Sequence, residues 1–175
     1  MKYYFYHGVP ENMIGTKLVP LNEMESVDGK LKTEYSKKYK GREEIMQRRI
    51  PLLNCLWNDV VQFLPLHPKK IFEIQKSLGL ISEIPDYSYY EIESSYFDPT
   101  KTAIYFKYAP GEENSETKWL KDVNLADIQE VPQATIDYYK SLVATGEMPF
   151  NYQFVPHVVH RGKIDISDCR IVSIK

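Results

Sequence analysis

Cysteine is scarce in this chain, with two residues in 175, Cys55 and Cys169, and no CxxC pair. That excludes a disulfide framework and a cysteine zinc site, and both residues are expected to act as small buried hydrophobes. No GxGxxG turn or GxxxxGK[ST] loop is present, so the phosphate cradles of the classical nucleotide folds are missing. A GxSxG elbow is absent too, which removes the usual serine-hydrolase layout. Nothing approaches the roughly 18 uninterrupted apolar residues of a membrane span. The opening MKYYFYHG also carries tyrosines where a secretory signal would be aliphatic. A cytoplasmic protein with no membrane partner is the expectation. Charge of one sign is lacking as well: a net −2 and a pI near 6.1 argue against a coat for duplex nucleic acid.

What is present is enough for a core. Apolar residues make up 43%, charged residues 26% and aromatics 13%, a balance that excludes disorder and coiled coil. The length suits one domain spanning residues 1–175. Charge is unevenly spread. Between Lys30 and Arg49 eight basic residues face three acids, while Glu83 to Glu130 holds eleven acids and four lysines. The first stretch would attract an anion and the second repel one, although a solvated surface explains any single lysine as well.

The aromatic run Tyr3 to Tyr6, stopped by Gly8 and Pro10, predicts a strand that delivers His7 to a loop. Leu31, Tyr35, Tyr39 and Met46 fall near helical spacing, predicting an amphipathic helix over 31–49, weakened at Gly41. The apolar LLNCLWNDVVQFLPL predicts buried extended chain with a turn near Asn58-Asp59. Pro68, then Ile71, Ile74 and Leu78 at helical spacing, then Gly79, predict a helix with both ends marked. Tyr89–Phe97 and Thr102–Ala109 look like a neighbouring strand pair, followed by a loop over 110–115. Asn124 is suited to cap a short helix, and 133–144 reads as a second helix with Ile136, Tyr139 and Val143 on one stripe. Strands return over 154–166 and 170–174, with a turn at Arg161-Gly162. This irregular order predicts an α+β fold, with one mixed or largely antiparallel sheet and several flanking helices.

The four histidines are His7, His67, His157 and His160. On a strand, His157 and His160 point to opposite faces, and no HExxH motif accompanies them, so no metal is expected. Tyrosines with single histidines and an arginine pair near strand ends fit a different chemistry. Ring faces stack a base, a guanidinium pairs with pyrophosphate, and an imidazole bonds a ribose hydroxyl, a combination that suits NAD. Fourteen tyrosines also suit amphipathic packing in a half-buried sheet, and Trp57 reads as core.

The order of these fragments resembles a family. Tyr6-His7-Gly8 looks like the histidine motif that opens ADP-ribosyltransferase-like folds, including the RNA 2'-phosphotransferases. The stretch Arg48 to Asn54 (RRIPLLN), continuing through Asn58 to Phe63 (NDVVQF) and Pro65 to Pro68 (PLHP), is similar to the DarT-type DNA ADP-ribosyltransferases, as is the segment from Val155 to Ile174. The resemblance implies NAD or a related nucleotide as ligand, held by Tyr6, His7, Gly8, Arg48 and Tyr105. It places Arg49 and His157 at catalytic positions, with single-stranded DNA or a protein as acceptor. One position departs from the pattern: where those transferases use a glutamate to favour the cationic sugar, this chain has His157, with Glu147 and Asp165 the nearby acids. The other expectation is a non-enzymatic interaction module with a tyrosine-rich surface.

Overall fold

The computed structural model describes residues 2–13, 15–26, 32–33, 36–41 and 43–175. Its strands, in chain order, are β1 (Tyr4–Gly8), β2 (Lys17–Leu18), β3 (Arg49–Ile50), β4 (Cys55–Leu56), β5 (Val60–Phe63), β6 (Ser88–Glu93), β7 (Thr102–Lys107), β8 (Ser115–Trp119), β9 (His157–Arg161), β10 (Ile164–Asp165) and β11 (Arg170–Ser173). Two α-helices whose residues are all described accompany them, α1 (Lys69–Ser77) and α2 (Gln133–Val143), with several 3-10 turns. The fold is α+β, and every strand pairing is antiparallel.

Two sheets carry the architecture, ordered β1-β6-β11 and β5-β9-β7-β8. They meet at a bridge between Tyr6 and Leu64, where each backbone N–H donates to the other's carbonyl at 2.9 and 2.8 Å. Beneath that junction Phe97 takes Phe5 and Phe63 edge-on, at ring separations of 5.0 and 4.9 Å. Such pairs add about 0.5–1.5 kcal/mol each beyond the area they bury. The junction is therefore a fixed point from which both sheets diverge.

Helix α1 follows its sequence signals. Pro68 sits at the N-cap, Ile71 and Phe72 are buried, and Gly79 takes φ of 75° just past the end. On α2 the buried stripe is Thr135, Tyr139 and Leu142, and Val143 is exposed, so the apolar face is rotated by one residue from the expected one. Thr135 compensates for its polarity by donating to the Gln153 carbonyl at 2.8 Å.

Other expectations are corrected. Of the helix expected over 31–49, residues 32–33 and 36 are helical, after which the chain forms short 3-10 segments at Lys37–Tyr39 and Glu43–Gln47, and Arg49 is already in β3. Gly41, at φ of 77°, turns the chain between them; Leu31, Tyr35 and Arg42 lie outside the described residues. Strands β6 and β7 do not pair but belong to different sheets, because β7 takes β9 and β8 as partners. The chain holds more than one sheet, and β8 falls where no strand was expected. Both cysteines are half-buried rather than buried. Among the described residues, no helix is long and apolar enough to cross a membrane.

Candidate functional site

Beyond the Tyr6–Leu64 bridge, β1 and β5 part, and a cavity of about 810 Å³ opens between the two sheets. The parting is stabilised by side chains. His7 Nδ1 donates to the Gln62 carbonyl at 2.8 Å, and its ring lies 5.4 Å from that of Phe63. The Gln62 carboxamide then donates to the Trp57 carbonyl at 2.6 Å. One residue of β5 thus holds a histidine from β1 with its backbone and a tryptophan turn with its side chain.

The opposite wall comes from β7 and β9. Tyr105 and His157 are direct partners across these strands, so both side chains project to the same face. Trp57 meets both edge-on, with ring separations of 5.1 Å to Tyr105 and 5.7 Å to His157. Over this pair lies the guanidinium of Arg48, its Cζ 5.5 Å from the Trp57 ring and 5.7 Å from that of Tyr105. These distances are in the cation–π range. Tyr39 and Ile45, from the segment that precedes β3, close this end.

Both cavity histidines are tautomerically fixed. A carbonyl oxygen has no proton to give, so Nδ1 of His7 on Gln62 and Nδ1 of His157 on Val155, the latter at 2.8 Å, must carry the hydrogen. In each neutral ring Nε2 is then the basic nitrogen. The far end is phenolic: the hydroxyls of Tyr89 and Tyr152 share a hydrogen bond of 2.7 Å. Burial pushes both phenols above their ordinary value, so they remain protonated. Tyr6 also lines the cavity, but its hydroxyl donates to Glu91 at 3.2 Å; burial and then the Glu91 charge raise its pKa. Gly8 sits at the mouth, where an added Cβ would meet only Tyr89 Cε1 at 3.9 Å, an ordinary contact.

Of the residues singled out from the sequence, Tyr6, His7, Gly8, Arg48, Tyr105 and His157 line this one cavity. Arg49 does not. It is exposed on β3 opposite Leu56, while Arg48, one residue earlier, turns inward and accepts the Trp57 N–H on its carbonyl at 2.8 Å. Nor do Glu147 and Asp165 reach the site; the described acids among its lining are Glu11 and Asp86, both exposed. His67 precedes the N-cap of α1 and accepts the Lys69 N–H on Nδ1 at 3.3 Å, and burial lowers its pKa. His160 lies on the other face of β9, 5% exposed. Among the described residues, no group of three histidine, cysteine, aspartate or glutamate side chains is arranged to hold a metal ion.

Sequence reasoning missed Trp57, Gln62 and Tyr39 as lining residues. Trp57 is 7% exposed and belongs to the core cluster around Val60 and Val159, so assigning it to packing identified only half of its position. Its neighbour pair Asn58-Asp59 carried a turn signal, and Trp57 opens the 3-10 turn formed there. No family model matches this chain, and no match was found among the curated proteins or the solved structures.

Proposed function

We propose that this protein binds a nucleotide of the NAD class in the cavity between its two sheets. The observation that carries this reading is the convergence of His7, Arg48, Trp57, Tyr105 and His157, from four separate stretches of chain, on one concavity. The chemistry is complementary. Aromatic faces suit a base, the guanidinium suits phosphate, and imidazoles hydrogen-bond hydroxyls such as those of ribose. The resemblance of Tyr6-His7-Gly8 and of the Arg48 to Asn54 stretch to ADP-ribosyltransferase-like proteins points the same way.

Binding is better supported than transfer of ADP-ribose. Loss of nicotinamide leaves a cationic sugar, and a carboxylate is the group that stabilises it. The resemblance would put His157 where that carboxylate stands, and Glu11 and Asp86, the described acids of the lining, are exposed. The interaction-module reading is less favoured, because the exposed tyrosines Tyr87, Tyr96 and Tyr108 lie on three separate stretches, whereas Tyr6, Tyr39, Tyr89, Tyr90, Tyr105 and Tyr139 are buried.

Thermal unfolding with and without millimolar NAD tests the proposal. A ligand that binds only the folded state stabilises it by RT ln(1 + [L]/Kd), so a clear rise in Tm is expected, and His7→Ala should abolish the rise while leaving the far-UV spectrum intact. An unchanged Tm across NAD, ADP-ribose and AMP would sink the reading.

A further inference from the structure

The four-stranded sheet has one side turned away from the rest of the fold. Its strand β5 runs into the Tyr6–Leu64 bridge to β1, so β8 is the outer edge. Pairing with β7 fixes where the β8 backbone points. The Tyr108 N–H donates to the Asn114 carbonyl at 3.0 Å, one step beyond the Lys107–Ser115 pair. Hydrogen-bonded pairs alternate along an antiparallel ladder, so Glu116 and Lys118 bond to β7 while Thr117 and Trp119 direct N–H and C=O away from it. Among the described residues, nothing bonds the outward backbone groups of Thr117 and Trp119. Such a row is a template for a further strand.

The side chains of β8 decide which strand fits. Glu116 and Lys118 are exposed on one face, and the chain holds both in place: Lys118 Nζ lies 3.3 Å from Glu116, the Tyr108 hydroxyl donates to Glu116 at 2.8 Å, and Lys118 Nζ sits 5.6 Å from the centre of the Phe106 ring. When β8 is laid antiparallel against itself about Thr117, Glu116 falls opposite Lys118 of the second copy, and Lys118 opposite its Glu116. Both are non-hydrogen-bonded pairs, in which side chains approach most closely. Thr117 faces its own equivalent as a hydrogen-bonded pair, with N–H and C=O both satisfied. A parallel copy in the same register would set like charges side by side, which is destabilising. Strand β11, the outer edge of the other sheet, has Arg170 as its one charged residue, already 3.7 Å from Glu91, and offers no such match.

We infer that β8 is a homodimerisation edge, at which two copies of this chain join antiparallel about Thr117 and double the four-stranded sheet across a two-fold axis. The interface is isologous, each copy giving the same patch. Backbone bonds and cover over the half-buried Trp119 supply the affinity, while the exposed charges, worth little as surface pairs, select partner and register. An edge this short makes a weak, reversible dimer. No β8 residue lines the cavity, so the inference stands apart from the nucleotide reading.

Sedimentation equilibrium of the whole protein at about 100 μM tests it, a concentration at which a Kd of about 10 μM leaves most chains paired. A dimer is expected. Glu116→Lys and Lys118→Glu each set like charges opposite one another, and each should raise Kd by about tenfold or more. The double variant restores opposite charges at both positions and should return Kd to within about threefold of the parent. Thr117→Pro removes the central outward donor, a change that edge strands accept on their solvent side, and should leave a monomer with the parent's far-UV spectrum. A monomeric parent would overturn the inference, and would mean that the alternating charges keep β8 from pairing. A dimer that neither Glu116→Lys nor Thr117→Pro weakens would overturn it too, by placing the contact on another surface.

Discussion

Gln62 and Trp57 are joined by a 2.6 Å hydrogen bond from the carboxamide to the indole residue's own carbonyl. The same glutamine accepts from His7 through its backbone. Two walls of the cavity are therefore referenced to one residue at the middle of β5. A ligand that touches both His7 and Trp57 meets groups whose separation is set before it arrives, which lowers the ordering cost of binding.

Replacing Gln62 by alanine removes the bond to Trp57 and keeps the bond that His7 makes to the backbone. A loss of about 1 kcal/mol in stability is expected from urea unfolding. Affinity for ADP-ribose should fall several-fold, because the Trp57 turn is no longer fixed. Tryptophan emission, recorded in a Trp119→Phe background, provides the structural check. A shift on the Gln62→Ala change would show that Trp57 has moved, and an unaltered spectrum with unaltered affinity would refute the coupling.

Neighbouring arginines provide a sharper contrast. Arg48 lies over Trp57 and Tyr105, while Arg49 is exposed on β3. Arg48→Ala is expected to weaken ADP-ribose about 10- to 100-fold, as for a lost charge-assisted contact, and Arg49→Ala to leave it within twofold. The reverse ranking would place the ligand outside this cavity.

That contrast also shows where the sequence is legible. Helix α1 could be read because Pro68, the Ile71–Ile74–Leu78 spacing and Gly79 are local signals, each acting within one turn. The choice between Arg48 and Arg49 could not, since it depends on where a 3-10 segment ends and a two-residue strand begins. Strand β8 was hidden for a different reason: Ser115-Glu116-Thr117-Lys118-Trp119 forms an edge, and its alternating positions are exposed or half-buried, which leaves no strong apolar period. The separation of β6 from β7 follows from pairing of β7 with β9, more than fifty residues away in the chain, and no local pattern encodes that partner. The candidate site was legible as residue types. Its geometry depends on the β1–β5 parting, which begins at the Tyr6–Leu64 bridge.

Phe97 anchors that junction from below, 4% exposed between Phe5, Phe63 and the His160 ring at 5.8 Å. Phe97→Ala is expected to cost about 3–5 kcal/mol by the usual scale for a buried ring. Because Phe63 also contacts His7, loss of binding should accompany loss of stability. Denaturant unfolding together with ADP-ribose titration checks both, and a variant that loses less than about 1 kcal/mol would show that the junction repacks.

His160 makes stability depend on pH. Thr102 spends its one hydroxyl proton on the Asp98 carbonyl at 2.7 Å, so at 2.8 Å it accepts from His160 Nδ1 and fixes that ring in its neutral tautomer. Burial, the largest influence, pushes the His160 pKa down to about 4; Asp98 opposes the shift and Lys101 adds to it. In the unfolded chain the same imidazole titrates near 6.5. Between those two values the unfolded state takes up a proton that the folded state refuses, so stability is full above about pH 6.5 and falls as the pH drops toward 4. The total is on the order of 3 kcal/mol. His67, also lowered by burial, adds to the same window, and Asp98, held below the carboxylate range by Thr100, acts only at lower pH. Both remain in His160→Gln, so the difference between parent and variant isolates one residue. Urea unfolding at pH 7, 6 and 5 should show the parent losing stability more steeply than His160→Gln, with the variant less stable at pH 7. Parallel slopes would mean that His160 is protonated as readily in the folded protein as in the unfolded one, and would contradict its burial against Phe97 and Thr102.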